Sequence, residues 1–271
     1  MNKLEAIPII IKNSLEYERI EKDGKRIFIC KSHPELKLLE INKTADFIFR
    51  KCDGNNSVND IINYLQANYI NIDKSVLEKD VLRILFNFWR IGVVKFKEVF
   101  PFDDLYLKHS KDGYIYKVLK ENEVVDFFKD EYTCDPRVMS NMYNSEESLR
   151  YRVVSFSEIF FLLENKEGLK IYMGISLDIL NPYLSGSLCI YDIDYDLEFD
   201  KNELFSCIKW VVDTQVSLVK NINRIDVYLE NNNINYKNLI KSLGFAKAGT
   251  LDKFIYKDDK YLSIDLYSLT I

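Results

Sequence analysis

Residues 223–245, NRIDVYLENNNINYKNLIKSLGF, decide how the second half of the chain is read. Ile225, Val227 and Leu229 alternate with polar or amphipathic neighbours, which is the two-residue period of a strand in a sheet. Asn231, Asn232 and Asn233 break that strand, because asparagine side chains bond to nearby backbone and favour turns and helix caps. Tyr236, Leu239, Ile240 and Leu243 then recur at the spacing of one helical face, and Gly244 is placed to end the helix. The stretch therefore reads as strand, turn and short helix closing on Leu243-Gly244-Phe245.

That order resembles the last motif of the GNAT acyltransferase superfamily, a strand followed by Asn, a short helix and Leu-Gly-Phe. Gly249-Thr250-Leu251 and the run from Ile255 to Tyr261 resemble the terminal hairpin of members that acylate amines on proteins and peptides. The match runs without gaps over residues 206–269. It implies a central strand that ends at a splay in the sheet, where the pantetheine arm of an acyl donor enters. It also implies a following helix whose N-terminal amides take the donor's diphosphate through a glycine-rich loop. Upstream, residues 114–119 read as a strand, 123–131 as a helix and 145–151 as a further helix. Residues 154–163 and 169–176 form a hairpin around Glu164-Asn165-Lys166-Glu167-Gly168, and 188–193 form the central strand.

Two departures from the family bear on chemistry. Phe199-Asp200-Lys201-Asn202-Glu203-Leu204-Phe205 stands where the basic glycine-rich loop belongs, and it holds no glycine. Asp200 and Glu203 have the spacing of a capping box, so the helix start is satisfied from within, and two carboxylates repel a diphosphate that Lys201 only partly attracts. Lys201 and Asn202 are the residues left to meet a donor phosphate. The second departure is Ile240, which occupies the place of the family's tyrosine, the acid that protonates the leaving thiolate. Tyr236 lies one turn earlier on the same face and is the replacement acid or an ordinary core residue. Asn233 matches the family's asparagine and either touches the pantetheine or caps the helix. A general base is sought among Asp192, Asp194 and Glu230, each of which is otherwise a solvated surface carboxylate.

The first third of the chain has a different pattern. Residues 17–20 and 27–29 form a hairpin about Asp23-Gly24, and residues 36–41 are β-like. Asn42 caps a helix with Ala45, Ile48, Phe49 and Cys52 inward, which Asp53-Gly54 stops. Ser57 and Asp60 form a capping box for a second helix carrying Val58, Ile61, Ile62 and Leu65. A third helix presents Val81, Leu82, Leu85, Phe88 and Trp89, ends near Gly92 and leads into a strand at 93–96. Three helices on a small sheet make a winged-helix shape. Leu39-Glu40-Ile41-Asn42-Lys43-Thr44-Ala45, Cys52-Asp53-Gly54 and Ser57-Val58-Asn59-Asp60-Ile61-Ile62 resemble the PqqD-like peptide chaperones, the recognition elements for leaders of ribosomally made, post-translationally modified peptides. The resemblance implies that a leader adds as a strand to the sheet edge beside the third helix. The edge here is Leu36, Lys37, Leu38, Leu39 and Glu40, with Leu82, Leu85 and Phe88 as an apolar wall. Burial in the core is the competing reading of those three.

Composition bounds the rest. With 271 residues and 47% apolar content, the chain is long enough for two cores. Its net charge of −5 opposes general nucleic-acid binding, including by the winged helix. Five scattered cysteines without a CxxC and two histidines suggest neither a disulfide framework nor a metal centre. No apolar run reaches the roughly 20 residues of a membrane span, and the N-terminus lacks a signal cleavage site, so a cytoplasmic protein is expected. Pro101 and a charge cluster in residues 97–112 place the boundary near Phe100. The expected fold is α+β: a PqqD-like domain at 1–99 and a mixed α/β GNAT-like domain at 100–271. Two functions follow. One is leader binding coupled to N-acyl transfer from acyl-CoA or an acyl carrier protein thioester to a peptide amine, with no metal. The other is an inactive GNAT-like adaptor that binds precursor peptide for another maturation enzyme.

Overall fold

The computed structural model describes residues 2–68, 72–131, 145–177, 185–192, 200–230, 234–257 and 259–271, with backbone alone at 129–131, 192 and 257. The chain divides into two compact units, Met1–Asp103 and Asp104–Ile271. Phe100 and Phe102 belong to the first, because they join Phe86, Trp89 and Phe96 in one aromatic cluster, with Trp89–Phe100 centroids 4.6 Å apart and Phe86–Phe102 5.0 Å apart. Apolar burial thus holds residues 100–102 within the first unit.

In the first unit, β1 (Ile7–Ile10), β2 (Leu15–Ile20), β3 (Arg26–Cys30), β4 (Leu39–Ile41) and β5 (Val94–Lys97) form two small sheets, β1-β5 and β2-β3-β4. The sequence pattern does not announce the β1–β5 pair, because Pro8 interrupts the apolar run of β1. Helices α1 (Lys43–Lys51), α2 (Val58–Asn68) and α3 (Lys74–Arg90) complete the unit. Both predicted caps are present. Asn42 Oδ1 accepts from Ala45 N at 2.9 Å, and Ser57 and Asp60 exchange bonds, Ser57 N to Asp60 Oδ2 at 2.9 Å and Asp60 N to Ser57 Oγ at 3.1 Å. Phe49 on α1 joins Phe28 on β3 to Phe88 on α3, with centroids 6.2 and 5.4 Å apart. Arg26 reaches from β3 to the buried Asp46 of α1, tying sheet to helix by charge as well.

The expectation of a strand over 36–41 is corrected. Pro34–Leu36 is a 3-10 turn, Lys37 turns the chain at φ +55°, and only Leu39–Ile41 is strand. Proline at the first position of the turn sets φ for a helical start, and the left-handed Lys37 then redirects the backbone into the sheet.

The second unit is one mixed sheet of β6 (Leu107–His109), β7 (Ile115–Val118), β8 (Glu158–Glu164), β9 (Lys170–Ser176), β10 (Ser185–Asp192), β11 (Arg224–Glu230), β12 (Ala246–Lys257) and β13 (Lys260–Thr270). The order is β12-β13-β11-β10-β9-β8-β7-β6, and every described pair is antiparallel except β10–β11. Helices α4 (Glu121–Glu131), α5 (Glu146–Val154), α6 (Lys201–Thr214) and α7 (Ile234–Ser242) lie between strands in sequence. The run expected as strand from 154 starts at Glu158, since α5 continues to Val154 and Phe156 turns the chain at φ +59°. Val124, Val125, Phe127 and Phe128 of α4 with Leu149 and Val153 of α5 cover Phe160, Leu162, Cys189 and Tyr191 on one face of the sheet. At the far side of the sheet, Asp265 of β13 is buried and receives Lys237 Nζ of α7 at 2.6 Å, Lys247 Nζ at 2.6 Å and Thr250 Oγ1 at 2.7 Å. This carboxylate fastens α7 to the terminal hairpin.

Candidate active site

The only parallel pair among the described residues marks the place to look. β10 and β11 are in register at Ser185↔Arg224, Gly186↔Ile225 and Ser187↔Asp226. Beyond this point the described ladder records no further pairs, although β10 continues to Asp192 and β11 to Glu230. A parallel pair that parts leaves backbone N–H and C=O groups in a cleft, and each must find another partner. One such group is the Ile190 N–H, which donates to the Tyr236 hydroxyl at 2.9 Å. On the opposite side of β10 the register passes from Ile190↔Met173 to Asp192↔Tyr172, so Tyr191 is a bulged residue. Bulges re-aim the groups beside them, and this one lies next to the Ile190 amide.

Tyr236 is thus brought to the cleft wall from the first turn of α7, half-buried rather than sealed in the core. Ile240, one turn on, has no exposed surface and serves packing alone. Glu230 is the last residue of β11, half-exposed and opposite Ile264 in the β13 ladder. Asp192 ends β10, and its side chain lies outside the described residues, as do Asp194 and Asn233.

At the start of α6, Asp200 Oδ1 accepts from the Asn202 N–H at 2.8 Å, so this first-turn amide is satisfied within the chain. The other half of the expected capping box is absent. Glu203 Oε2 instead accepts from the Tyr116 hydroxyl of β7 at 2.7 Å, because Tyr116 points from the sheet toward α6, where it also meets Trp210. Burial, followed by the Glu203 carboxylate, raises the Tyr116 pKa above the ordinary tyrosine value. Lys201 and Asn202 are exposed at the helix start.

In the first unit, β4 is an edge strand paired only to β3 among the described residues, through Phe28↔Leu39, Ile27↔Glu40 and Arg26↔Ile41. Leu36 and Leu39 are half-buried, while Lys37, Leu38 and Glu40 are exposed, Leu38 at 56%. Leu82 is half-buried, whereas Leu85 and Phe88 lie in the core at 0% and 3% exposure. They back a wall rather than face a guest. Among the described residues no cluster of His, Cys, Asp and Glu is arranged to hold a metal ion, and no helix is long and apolar enough to cross a membrane.

Several chemistry-bearing groups escaped the sequence reading. The Ile190 amide is one, since no side chain announces it. Others are Arg152, Glu158 and Tyr191, all buried in the face under α4 and α5. The available signal was Arg152 in helical phase with Leu149, and Glu158 at the head of the apolar run IFFLL.

Comparison with known families matches residues 33–94 to coenzyme PQQ synthesis protein D (PqqD). No curated protein sequence matches the chain. Among solved structures, the ribosomal-protein-S5-alanine acetyltransferase of Vibrio fischeri is 17% identical, covers 60% of this chain and 96% of its own, and superposes with a TM-score of 0.43. The spermidine/spermine N-acetyltransferase of Vibrio cholerae is 13% identical, covers 58% of this chain and 94% of its own, with a TM-score of 0.46. The parting parallel pair, the helix α6 after the central strand and the terminal hairpin are the features that the GNAT resemblance implied. Residues 33–94 thus resemble PqqD, and the described chain is of mixed α and β structure.

Proposed function

We propose that the chain binds a precursor peptide through its PqqD-like domain and transfers an acyl group from a thioester to an amine of that peptide in the β10–β11 cleft. The observation that carries this reading is the Ile190 N–H, a backbone donor held in the cleft against a hydroxyl oxygen. A thioester carbonyl oxygen placed where that hydroxyl sits receives the same bond, and the bond strengthens as negative charge grows on the oxygen. The amine nitrogen attacks the carbonyl carbon, the C–S bond breaks, and the thiolate leaves. Tyr236 is the proton source for the thiolate, and Asp192 or Glu230 takes the proton released by the amine. Because Asp200 already holds the Asn202 amide, α6 offers a diphosphate less than an uncapped helix would, with Lys201 and Asn202 its remaining contacts. Pantetheine and the acyl chain then carry most of the donor's affinity, from acyl-CoA or from an acyl carrier protein.

The peptide leader adds to the β4 edge at Leu39 and Glu40, with Leu36, Lys37 and Leu38 flanking it and the half-buried Leu82 as the accessible part of the wall. Covalent linkage of the two domains raises the local concentration of the peptide's acceptor. Titration of a labelled leader, with mass analysis of the peptide after incubation with acetyl-CoA and an acyl carrier protein thioester, tests the reading. Saturable binding with an acyl-sized mass gain is expected. Leader binding that survives proline at both Leu39 and Glu40 refutes strand addition there, and no mass gain with either donor refutes the transfer. A second reading, an adaptor that holds precursor peptide for another maturation enzyme, is favoured by Tyr236 and Asp200, which satisfy from within two amides a donor would use.

A further inference from the structure

Beneath α4 and α5 lies a polar cluster that the acyl-transfer reading leaves unused. Glu158, the first residue of β8, is 1% exposed, Arg152 of α5 is 2% exposed and Tyr191 of β10 is 5% exposed. Arg152 Nη1 donates to Glu158 Oε2 at 2.9 Å, and the Tyr191 hydroxyl donates to Glu158 Oε1. The guanidinium also lies over the Phe160 ring at 5.3 Å and the Phe128 ring at 6.0 Å, and Tyr191 stacks on Phe160. The strand between β8 and β10 makes room for this meeting. A Cβ on Gly174 of β9 would stand 2.4 Å from Glu158 Oε1 and 2.9 Å from the Tyr191 ring, so a side chain there would drive the two apart.

Stability does not account for such a cluster. Removing two charges from water offsets much of what their attraction returns, and apolar residues of the same volume usually serve as well. What the cluster does that leucines cannot is fix a direction. Tyr191 is the bulged residue of β10, so its backbone is held less tightly by the ladder than its neighbours are. Its hydroxyl is tied across Gly174 to Glu158, and Arg152 holds Glu158 in turn. The residue immediately before it is Ile190, whose N–H faces the Tyr236 hydroxyl.

We infer that Arg152, Glu158 and Tyr191 are positioning residues: a buried brace that sets the orientation of the Ile190 amide in the β10–β11 cleft. The use of that amide in acyl transfer rests on the function proposed above, whereas the brace itself does not.

The test uses the full chain without any donor, labelled with 15N-isoleucine, and reads amide hydrogen exchange. Ile190→Val assigns the Ile190 signal by its disappearance, and Ile175 of β9 is the internal reference. Tyr191→Phe removes only the hydroxyl; Leu162→Val opens a small cavity in the same core face without touching the brace. The expected result is Ile190 exchange about tenfold faster in Tyr191→Phe, the effect of losing one restraining hydrogen bond, with Ile175 unchanged and Leu162→Val like the parent. Parent-like exchange at Ile190 in Tyr191→Phe overturns the brace, as does an equal gain in Leu162→Val. Should Tyr191→Phe not fold, Arg152→Met with Glu158→Met removes charge and acceptor together at similar volume. Faster exchange confined to Ile190 then supports the brace, and parent-like exchange overturns it. Because no donor is present, either outcome leaves the acyl-transfer reading to its own test.

Discussion

Tyr236→Phe separates the two roles that its hydroxyl can play. In the parent, the hydroxyl accepts from Ile190 N at 2.9 Å, so an acyl donor that seeks this amide must displace it. An intramolecular hydrogen bond of this kind is worth about 0.5–1.5 kcal/mol net. Removing the competitor therefore tightens donor binding by roughly 2- to 12-fold on the affinity scale. Turnover moves the opposite way, because a lost general acid costs on the order of 10²- to 10⁴-fold. Calorimetry with S-acetyl-pantetheine and acetyl-CoA, followed by single-turnover mass analysis of the peptide, reads both effects. The expected pattern is tighter binding of both donors with slower transfer. Because Asp200 holds the Asn202 amide, the two donors should also differ in affinity by less than about tenfold, short of the roughly 13-fold or more that one hydrogen bond to a charged group gives. Weaker binding of both donors would refute the displacement argument. Undiminished transfer would remove Tyr236 as the acid, and acetyl-CoA bound far more tightly than acetyl-pantetheine would refute the closure of α6.

Three further substitutions probe stability, two in the second unit and one in the first. Burial works to raise the Asp265 pKa, but Lys237, Lys247 and Thr250 prevail and hold it below the usual carboxylate range. A depressed folded-state value gives stability present above the unfolded pKa of about 3.9 and lost as pH falls below it. Asp265→Asn should cost the second unit about 3 kcal/mol in urea unfolding, chiefly by stripping the largely buried Lys237 of its carboxylate, with the half-exposed Lys247 adding little. It should also flatten the acid limb of the stability profile. Tyr116 titrates above its ordinary value because of burial and then Glu203, so its contribution is full below pH of about 10 and is lost as pH rises further. Tyr116→Phe should therefore reduce the loss of second-unit stability measured between neutral and strongly alkaline pH. Lys37 holds φ at +55° where glycine is at ease, and Lys37→Gly should raise first-unit stability by about 1 kcal/mol in urea unfolding.

Local chemistry was legible wherever a residue acts on its own neighbourhood. Asn42 and the Ser57–Asp60 pair could be read because a cap bonds within three positions of itself. Gly244 at φ +91° ends α7 for the same kind of reason. The strand over 36–41 failed on competing local signals, since Leu36, Leu38 and Leu39 carry apolar character while Pro34 and Lys37 set the backbone. Glu203 shows the limit more sharply. Its spacing from Asp200 fits a capping box, yet its carboxylate goes to Tyr116, a residue far back in sequence on β7. Periodicity says which face a side chain shares; it does not say which strand lies across from that face.

The cleft itself has the same property, which is why so little of it was visible beforehand. Its central donor is a backbone N–H, present at every non-proline residue and distinguished at Ile190 only because β11 departs and Tyr191 bulges. Tyr236 stands out by its helical phase relative to Ile240, but that phase fits burial as well as chemistry. What separates the two is a bond to an amide 46 residues away. The buried Arg152 and Glu158 are the converse case: charged residues in apolar surroundings, without meaning until Gly174 brings β8 and β10 side chains together. A chain that conducts acyl transfer here needs the amide aimed and Tyr236 able to move. A chain that only holds peptide needs neither, and the buried charge beside the bulge would then be an expense without a return.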